Sequence, residues 1–368
     1  MSTDARSQRP SLDATIAETL TATARRAAPG SDHEHVALMA ALSHACSGGG
    51  RLRPHLLLDT CRALGGDPDG PALRVAAAIE ILHAAFVLQD DVIDADPVRR
   101  GAPTAHAALT TAALAEGAPL RSARRYGDAG GTLAGDLGLI TALTAVLRCG
   151  APATTVDRLV DLLESAVHAS AAGELADVAP TAVAPAGGPS PTPVTASVRV
   201  AALKTSAYTT ELPLRAGAVL AGADEQVDEA LAAVGRPLGI GFQLLDDLVG
   251  IFGDESRTGK SALSDLRDGA RTGLIAHAEP TDAWPLLLPL IGDPDADESS
   301  LQEARRLLED CGARARTEAL AEEQLDLAVE LAISSGVPDG LVVVLDATRR
   351  RMLETAHAQL VGVREVGA

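Results

Sequence analysis

The sequence is short of aromatic rings, of lysine and of paired cysteines, and each shortage narrows what the chain can be. Aromatic residues are only 2% of its 368 residues: three Phe, two Tyr and one Trp. A core without rings must be assembled from Ala, Leu and Val, which favours helices over strands. Basic charge is scarce as well, with 31 Lys and Arg against 50 Asp and Glu and a net charge of -19. A phosphate backbone needs a basic surface, so a general nucleic-acid partner is excluded. The four cysteines (Cys46, Cys61, Cys149, Cys311) lie far apart and form no CxxC pair, which predicts structural thiols in a reducing cytoplasm. The opening "MSTDARSQRPSLDAT" has no apolar signal core. The longest uncharged stretch, 178–198, holds five prolines and two adjacent glycines, so it predicts a loop and not a membrane span.

What is present is helical patterning. Residues 1–11 read as a disordered start, and 12–368 as one all-α domain with a Pro-rich loop at 179–194 inside it. Helical segments are expected at 12–28, 33–46, 52–64, 71–95, 103–116, 127–149, 153–178, 195–221, 224–252, 299–334 and 338–362, separated by breaks rich in Gly, Pro and Asp. A second loop, polar and glycine-bearing, is expected from Gly253 to Gly269. No fixed-period repeat occurs, and a bundle of roughly a dozen helices is the economical architecture.

The unusual feature is "LQDDVIDADPVRRGAPTAH" (88–106), which places Asp90, Asp91, Asp94 and Asp96 within seven positions. The apolar run "AAIEILHAAFVL" leads directly into them, so the carboxylates emerge from an element built for burial, where unpaired charge is costly. On a helix Asp90 and Asp94 stack on one face about 6 Å apart, with Asp91 turned about 100° away. Hard oxygens at that spacing suit Mg²⁺, which takes few protein ligands and completes its shell with water and phosphate. A second apolar run ends the same way, in Asp246 and Asp247 of "GIGFQLLDDLVGIFGD". Only two of the basic residues are lysines. They sit in "ALKTSAYTTELPL" (Lys204) and "TGKSAL" (Lys260), where a compact ammonium on a flexible stem can reach a phosphate oxygen.

Taken together these segments resemble the trans-isoprenyl diphosphate synthases, the polyprenyl synthetase family, from about residue 35 to the C-terminus. "GGGRLRP" (48–54) is similar to that family's GGKRLRP, "EILHAAFVLQDDVIDADPVRRGAPT" to its first aspartate-rich region and "LAGDL" (133–137) to the helix that follows. "GELAD" (173–177) is similar to GQxxD, "KTSAYT" to KT(A/S)xY, and "FQLLDDLVGIFGD…TGK" to the second aspartate-rich region. The motifs occur in the family's order.

The resemblance implies the isoprenoid synthase fold, a single bundle around a deep cavity. It also implies transfer of a prenyl group to isopentenyl diphosphate from an allylic diphosphate, with three Mg²⁺ ions. The allylic diphosphate leaves with its developing charge stabilised, the carbocation is sheltered in a water-poor cavity, and isopentenyl diphosphate attacks it before losing a proton. By the same resemblance Asp90, Asp94 and Asp246 are metal ligands, supported by Asp91 and Asp247. Arg99, Lys204, Thr205, Gln243 and Lys260 contact the allylic diphosphate, and Arg53, His83 and Arg100 the isopentenyl diphosphate. Phe86, one turn before Asp90, is expected to limit product length to C15–C20, with C20 favoured. A homodimer without a membrane span is implied too. Asp128 and Asp136 suggest only capping or a structural hydrogen bond.

Three positions depart from the pattern: Gly50 stands where the family has a lysine for isopentenyl diphosphate, Gly250 where it has a third aspartate, and Glu174 where it has glutamine. Arg51, beside Gly50, is a candidate to compensate for the first. The departures leave open a non-catalytic or regulatory subunit, or an altered acceptor. A terpene cyclase is disfavoured, because cyclases use an Asn/Ser/Glu metal triad and this chain keeps a second DD.

Asp90→Ala and Asp94→Ala are each expected to lower turnover by orders of magnitude while leaving the far-ultraviolet circular dichroism of the wild type. Undiminished turnover in either variant removes these residues from metal binding.

Overall fold

An Ala- and Leu-rich sequence with few rings should fold almost entirely into helices, and the computed structural model does so. It describes residues 11–27, 32–182, 193–254, 257, 262, 266–267 and 269–364. In chain order the helices are α1 (Leu12–Ala27), α2 (His33–Ala45), α3 (Leu52–Ala63) and α4 (Pro71–Ile93), followed by α5 (Ala105–Ala115), α6 (Leu120–Leu147), α7 (Ala153–Ala182) and α8 (Val194–Ala201). A π-helical segment (Ala202–Glu211) leads into α9 (Leu212–Ala221) and α10 (Glu225–Phe252). Short helices α11 (Gly273–Ala278) and α12 (Trp284–Leu287) precede α13 (Glu298–Asp310), α14 (Ala313–Ser334) and α15 (Asp339–Arg364). The strands among the described residues are β1 (Val98–Arg99) and β2 (Ala102–Pro103), which pair with each other.

Packing divides the chain into two compact units within the segment read as one domain. The first holds α1 to α6, the start of α7 as far as Leu163, and residues 213–224. Its centre is α4, which starts at Gly70 with Pro71 in its first turn, where the missing N–H costs nothing. Ala76, Ala77, Ala78, Ile79, Ile81, Leu82 and Ala85 of α4 are all buried. Helix α6 lies against it through a seam of glycines. A Cβ on Gly131 would come within 2.5 Å of Val92, on Gly135 within 2.6 Å of Gln89, and on Gly138 within 2.7 Å of the Ala85 side chain. The backbones of α4 and α6 therefore approach more closely than side-chained residues would permit. By length and hydropathy both helices could cross a membrane, but 72% of the apolar window of α4 is buried inside the fold.

The second unit holds Val98–Ala102, the rest of α7, α8, the π-helical segment and everything from α10 onward. The π-helical segment ends just before Pro213, which has no N–H to return to Thr209 in a regular α-turn; widening the preceding turns accommodates it. That segment packs tightly on α10, where a Cβ on Gly239 would lie 2.5 Å from Ser206. The Ser206 and Thr210 hydroxyls donate to the carbonyls of Arg236 and Gly235 at 3.0 and 2.7 Å.

Several expected boundaries need correction. The helix expected at 127–149 starts seven residues earlier, after Pro119, because "LRSARRY" is itself a good helical sequence. The single helix expected at 299–334 is two helices. Gly312 adopts a left-handed conformation (φ 74°) between α13 and α14, which glycine enters without steric cost. The helix expected to begin at 103 begins at Ala105, and residues 98–103 form the β1–β2 hairpin instead. Of the loop expected at 179–194, residues 179–182 complete α7 and Val194 opens α8; residues 183–192 lie outside the described residues. Of the expected 253–269 loop, Ala262 and Leu266 are buried, and Lys260 lies outside the described residues.

Filling the α4–α6 seam should be destabilising: Gly138→Val is expected to lower the unfolding free energy by about 2–3 kcal/mol through overpacking against Ala85 and Leu42. Urea denaturation of the purified protein measures this, and an unchanged midpoint would mean that the two helices can separate at little cost.

Candidate active site

The first unit places the aspartates of 88–106 at the end of α4. Most of this helix is buried, but towards its C-terminus one stripe is not: His83, Phe86, Val87, Gln89 and Asp90 are each partly accessible. His83, Phe86, Asp90 and Asp94 follow one another at helical spacing along that stripe. Asp94 is the C-cap residue. Asp91, on the other side, is 4% exposed. Ala85, adjacent to Phe86, is fully buried against α6.

The chain then turns through Ala95, at φ 55°, into the hairpin that carries the arginine pair. Arg99 is half-buried in β1, and Arg100 is exposed at the tip. Arg100 and Gly101 both have positive φ, 53° and 73°, as a two-residue hairpin turn demands. A non-glycine residue rarely holds this conformation without tertiary support. In the first unit, the Asp96 carbonyl accepts hydrogen bonds from the Thr104 hydroxyl and His106 Nε2, each at 2.7 Å. His106 Nδ1 in turn lies 3.5 Å from Asp128, and Gln89 donates to Asp136 at 3.1 Å. These two aspartates are thus structural partners. The sequence reading missed Asp96, Thr104 and His106 as hydrogen-bond partners, although the "RRG" turn between Pro97 and Pro103 was a usable signal.

Arg53 lies in the first turn of α3 and is 8% exposed. Its neighbour Arg51 is not placed to compensate for the lysine missing at Gly50. Its guanidinium bonds to the buried Glu80 of α4 at 2.7 Å, to Asp13 of α1 at 2.8 Å and to the Cys46 carbonyl at 2.8 Å. These three acceptors direct Arg51 towards α1, α4 and the end of α2. Burial pushes the Cys46 thiol up to about 12, Glu80 adding to the shift and Arg51 opposing it, so Cys46 is an inert structural thiol. Gly50 itself has open space where a Cβ would project.

The second unit holds the other acidic helix end. Asp246 is exposed and Asp247 half-buried in the last two turns of α10. Asp247 accepts from Gln243 Nε2 at 2.8 Å and from the Gly273 N–H at 3.3 Å. Burial pushes its carboxyl up to about 7 against the pull of the Gln243 hydrogen bond, and the charges of Asp246 and Asp177 push the same way. Gln243 also accepts from the Thr205 hydroxyl. Beside Thr205, Lys204 bonds to Asp177 at 2.8 Å and to Glu174 at 3.0 Å. One connected network thus joins α7, the π-helical segment, α10 and α11. Gly250 falls in the last turn of α10, with no carboxylate to add.

These donors fit a divalent cation. They are hard carboxylate oxygens, and at Asp247 the anion is penalised by burial and by like charge, both of which a cation relieves. Among the described residues no three His, Cys, Asp or Glu side chains already converge on a metal position. Mg²⁺ needs no such cage when phosphate and water complete its shell.

Gly50→Lys is expected to lower the Michaelis constant for isopentenyl diphosphate, the acceptor implied by the family resemblance, about tenfold, the low end for a charge-assisted contact. The constant for the allylic partner should not move. Steady-state kinetics with each substrate varied in turn decides it, and no change in either constant would show that position 50 does not face the acceptor.

Comparison with known proteins gives a consistent result. The family model for polyprenyl synthetase matches residues 35–308. The chain is 32% identical over 311 residues to a geranylfarnesyl diphosphate synthase of Aeropyrum pernix, covering 83% of this chain and 88% of that one. It is 31% identical over 302 residues to a (2E,6E)-farnesyl diphosphate synthase of Mycobacterium bovis, covering 79% and 75%. Among solved structures it superposes on a geranylgeranyl pyrophosphate synthase of Corynebacterium glutamicum, complexed with isoprenyl diphosphate and magnesium. That match has a TM-score of 0.84 at 27% identity and covers 94% of this chain and 97% of that one. With the all-α isoprenoid synthase fold and a family match across most of its length, the chain belongs to the polyprenyl synthetase family, whose members are prenyltransferases of the prenyl diphosphate synthase type.

Proposed function

We propose that the chain is a Mg²⁺-dependent short-chain synthase that condenses isopentenyl diphosphate with an allylic diphosphate to an all-trans product of C15–C20, with C20 favoured. The observation that carries this reading is the accessible stripe towards the end of α4, on which His83, Phe86, Asp90 and Asp94 line up at helical spacing while Ala76 to Leu82, Ala84, Ala85 and Leu88 are buried.

In this reading Asp90, Asp94 and Asp246 hold Mg²⁺ with help from Asp91 and Asp247, and three ions serve one turnover. Bound there, Mg²⁺ would supply charge neutralisation for the departing diphosphate. Arg99, Lys204, Thr205, Gln243 and Lys260 orient the allylic diphosphate, and Arg53, His83 and Arg100 the acceptor. The allylic cation is sheltered in a water-poor cavity.

Relatives named for farnesyl, geranylgeranyl and geranylfarnesyl diphosphate bracket the product range. Phe86 favours the shorter end, because its ring sits one turn, about 5–6 Å, below Asp90 on the face along which a growing chain would extend. Action as a homodimer is supported by α6. Tyr126, Leu133, Ile140 and Leu147 recur every seven residues along it and are 43–54% exposed, the pattern of a helix seam that pairs with another. A cytoplasmic location accords with the unoxidised cysteines.

Incubation of the purified protein with Mg²⁺, isopentenyl diphosphate and each allylic starter, followed by product sizing, should give a C20 product with C15 as the minor species. Absence of condensation with every starter would favour a non-catalytic subunit. In the same assay Phe86→Ala is expected to lengthen the main product by at least one C5 unit; an unchanged distribution would place the length limit elsewhere.

A further inference from the structure

The chain passes from α2 to α3 through three consecutive glycines, and Gly48 and Gly49 take positive φ, 71° and 85°. Without side chains these residues cannot themselves fix where α3 begins. Arg51 follows them as the N-cap of α3 and is left-handed too, at φ 51° and ψ 33°. That conformation costs a residue with a Cβ free energy. Its guanidinium is tied to the Cys46 carbonyl at 2.8 Å, across the glycines, to Asp13 at 2.8 Å and to Glu80 at 2.7 Å. The Glu80 side chain is 6% exposed, and its second oxygen, Oε2, is buried without a hydrogen-bond partner among the described residues. A buried carboxylate bonded through one oxygen only is costly, and a leucine of similar size would avoid that cost in α4. What Glu80 adds is a fixed, charge-assisted acceptor for Arg51.

We propose that Arg51, anchored by Glu80, is a positioning residue that sets this chain's affinity for isopentenyl diphosphate without touching it. The clamp holds residue 51 left-handed and draws the two ends of the glycine segment together. It thereby fixes the first turn of α3 and, two residues on, Arg53. Arg53 is 8% exposed, so its side chain has little freedom to correct for a displaced backbone. Released from the clamp, residue 51 can leave the left-handed region and carry Arg53 with it. The proposal rests on the assignment of Arg53 to the acceptor diphosphate made above. The contacts assigned to the allylic diphosphate lie on other segments and do not depend on this turn.

The test compares wild type with two double variants. Glu80→Leu with Arg51→Met removes both halves of the buried pair, so that neither charge is stranded. Glu80→Leu with Arg51→Gly removes the same pair but lets residue 51 stay left-handed without steric cost. Calorimetric titration with isopentenyl diphosphate alone should show about tenfold weaker binding in the methionine variant, the low end for a lost charge-assisted contact. In steady-state assays its Michaelis constant for isopentenyl diphosphate should rise by the same factor, with kcat and the constant for the allylic substrate unchanged. The glycine variant should return to within about threefold of wild type, and having no side chain at 51 it cannot do so by direct contact. Without any ligand, the His55 amide, which bonds to the Arg51 carbonyl at 3.1 Å, should exchange its hydrogen faster in the methionine variant and slow again in the glycine variant. Unchanged acceptor affinity or unchanged His55 exchange in the methionine variant overturns the proposal, as does an equal loss for both substrates. A glycine variant as weak as the methionine one overturns it too, because Arg51 would then act through its side chain on the acceptor. Weakened binding that glycine rescues, in a protein that condenses no starter, leaves the proposal standing and removes the synthase reading instead.

Discussion

The cost of burying charge governs this structure. A helix such as α4 can sit inside the fold because its first four turns are almost purely apolar, and near its end Asp90 and Asp94 come partly out of the packing while Asp91 stays buried. Within the buried length Glu80 is met by Arg51. The same rule operates in α10. Leu231, Val234, Leu238, Leu244 and Leu248 are buried, and the acidic pair is confined to the C-terminal end, where Gln243 and the Gly273 N–H share Asp247. Charge appears where a cation can answer it or where a partner already does.

Small residues supply the second constraint. With few rings to fill space, density is gained by bringing helix backbones together: Gly131, Gly135 and Gly138 admit α4 against α6, Gly239 admits the π-helical segment against α10, and Gly173 admits α7 against Lys204. Close backbone contact leaves little freedom for rigid-body adjustment. At the Gly239 contact the Ser206 and Thr210 hydroxyls are held by main-chain carbonyls.

The arginine hairpin carries local strain. Arg100 occupies a conformation better suited to glycine or asparagine. Beside the turn in the chain, the Asp96 carbonyl binds the Thr104 hydroxyl and His106, and His106 lies close to Asp128.

Much of this was legible in the sequence. The shortage of rings and the 3.6-residue patterning dictated an all-helical chain. The two apolar runs ending in adjacent aspartates marked α4 and α10 as the acidic helices, because local propensity and the cost of buried charge act on neighbouring residues and need no distant partner. Long-range contacts decided the rest. Arg51 looked available to replace a lysine, but Glu80, some thirty residues away, and Asp13 on α1 claim it. Lys204 looked like a free phosphate contact, but α7 supplies two carboxylates for it. The positive-φ turn at Arg100 is likewise not marked by its residue type, since arginine rarely adopts it. Sequence specifies which charges exist and on which helix end they fall; tertiary structure decides which of them are already paired, because pairing is a matter of distance in space and not along the chain.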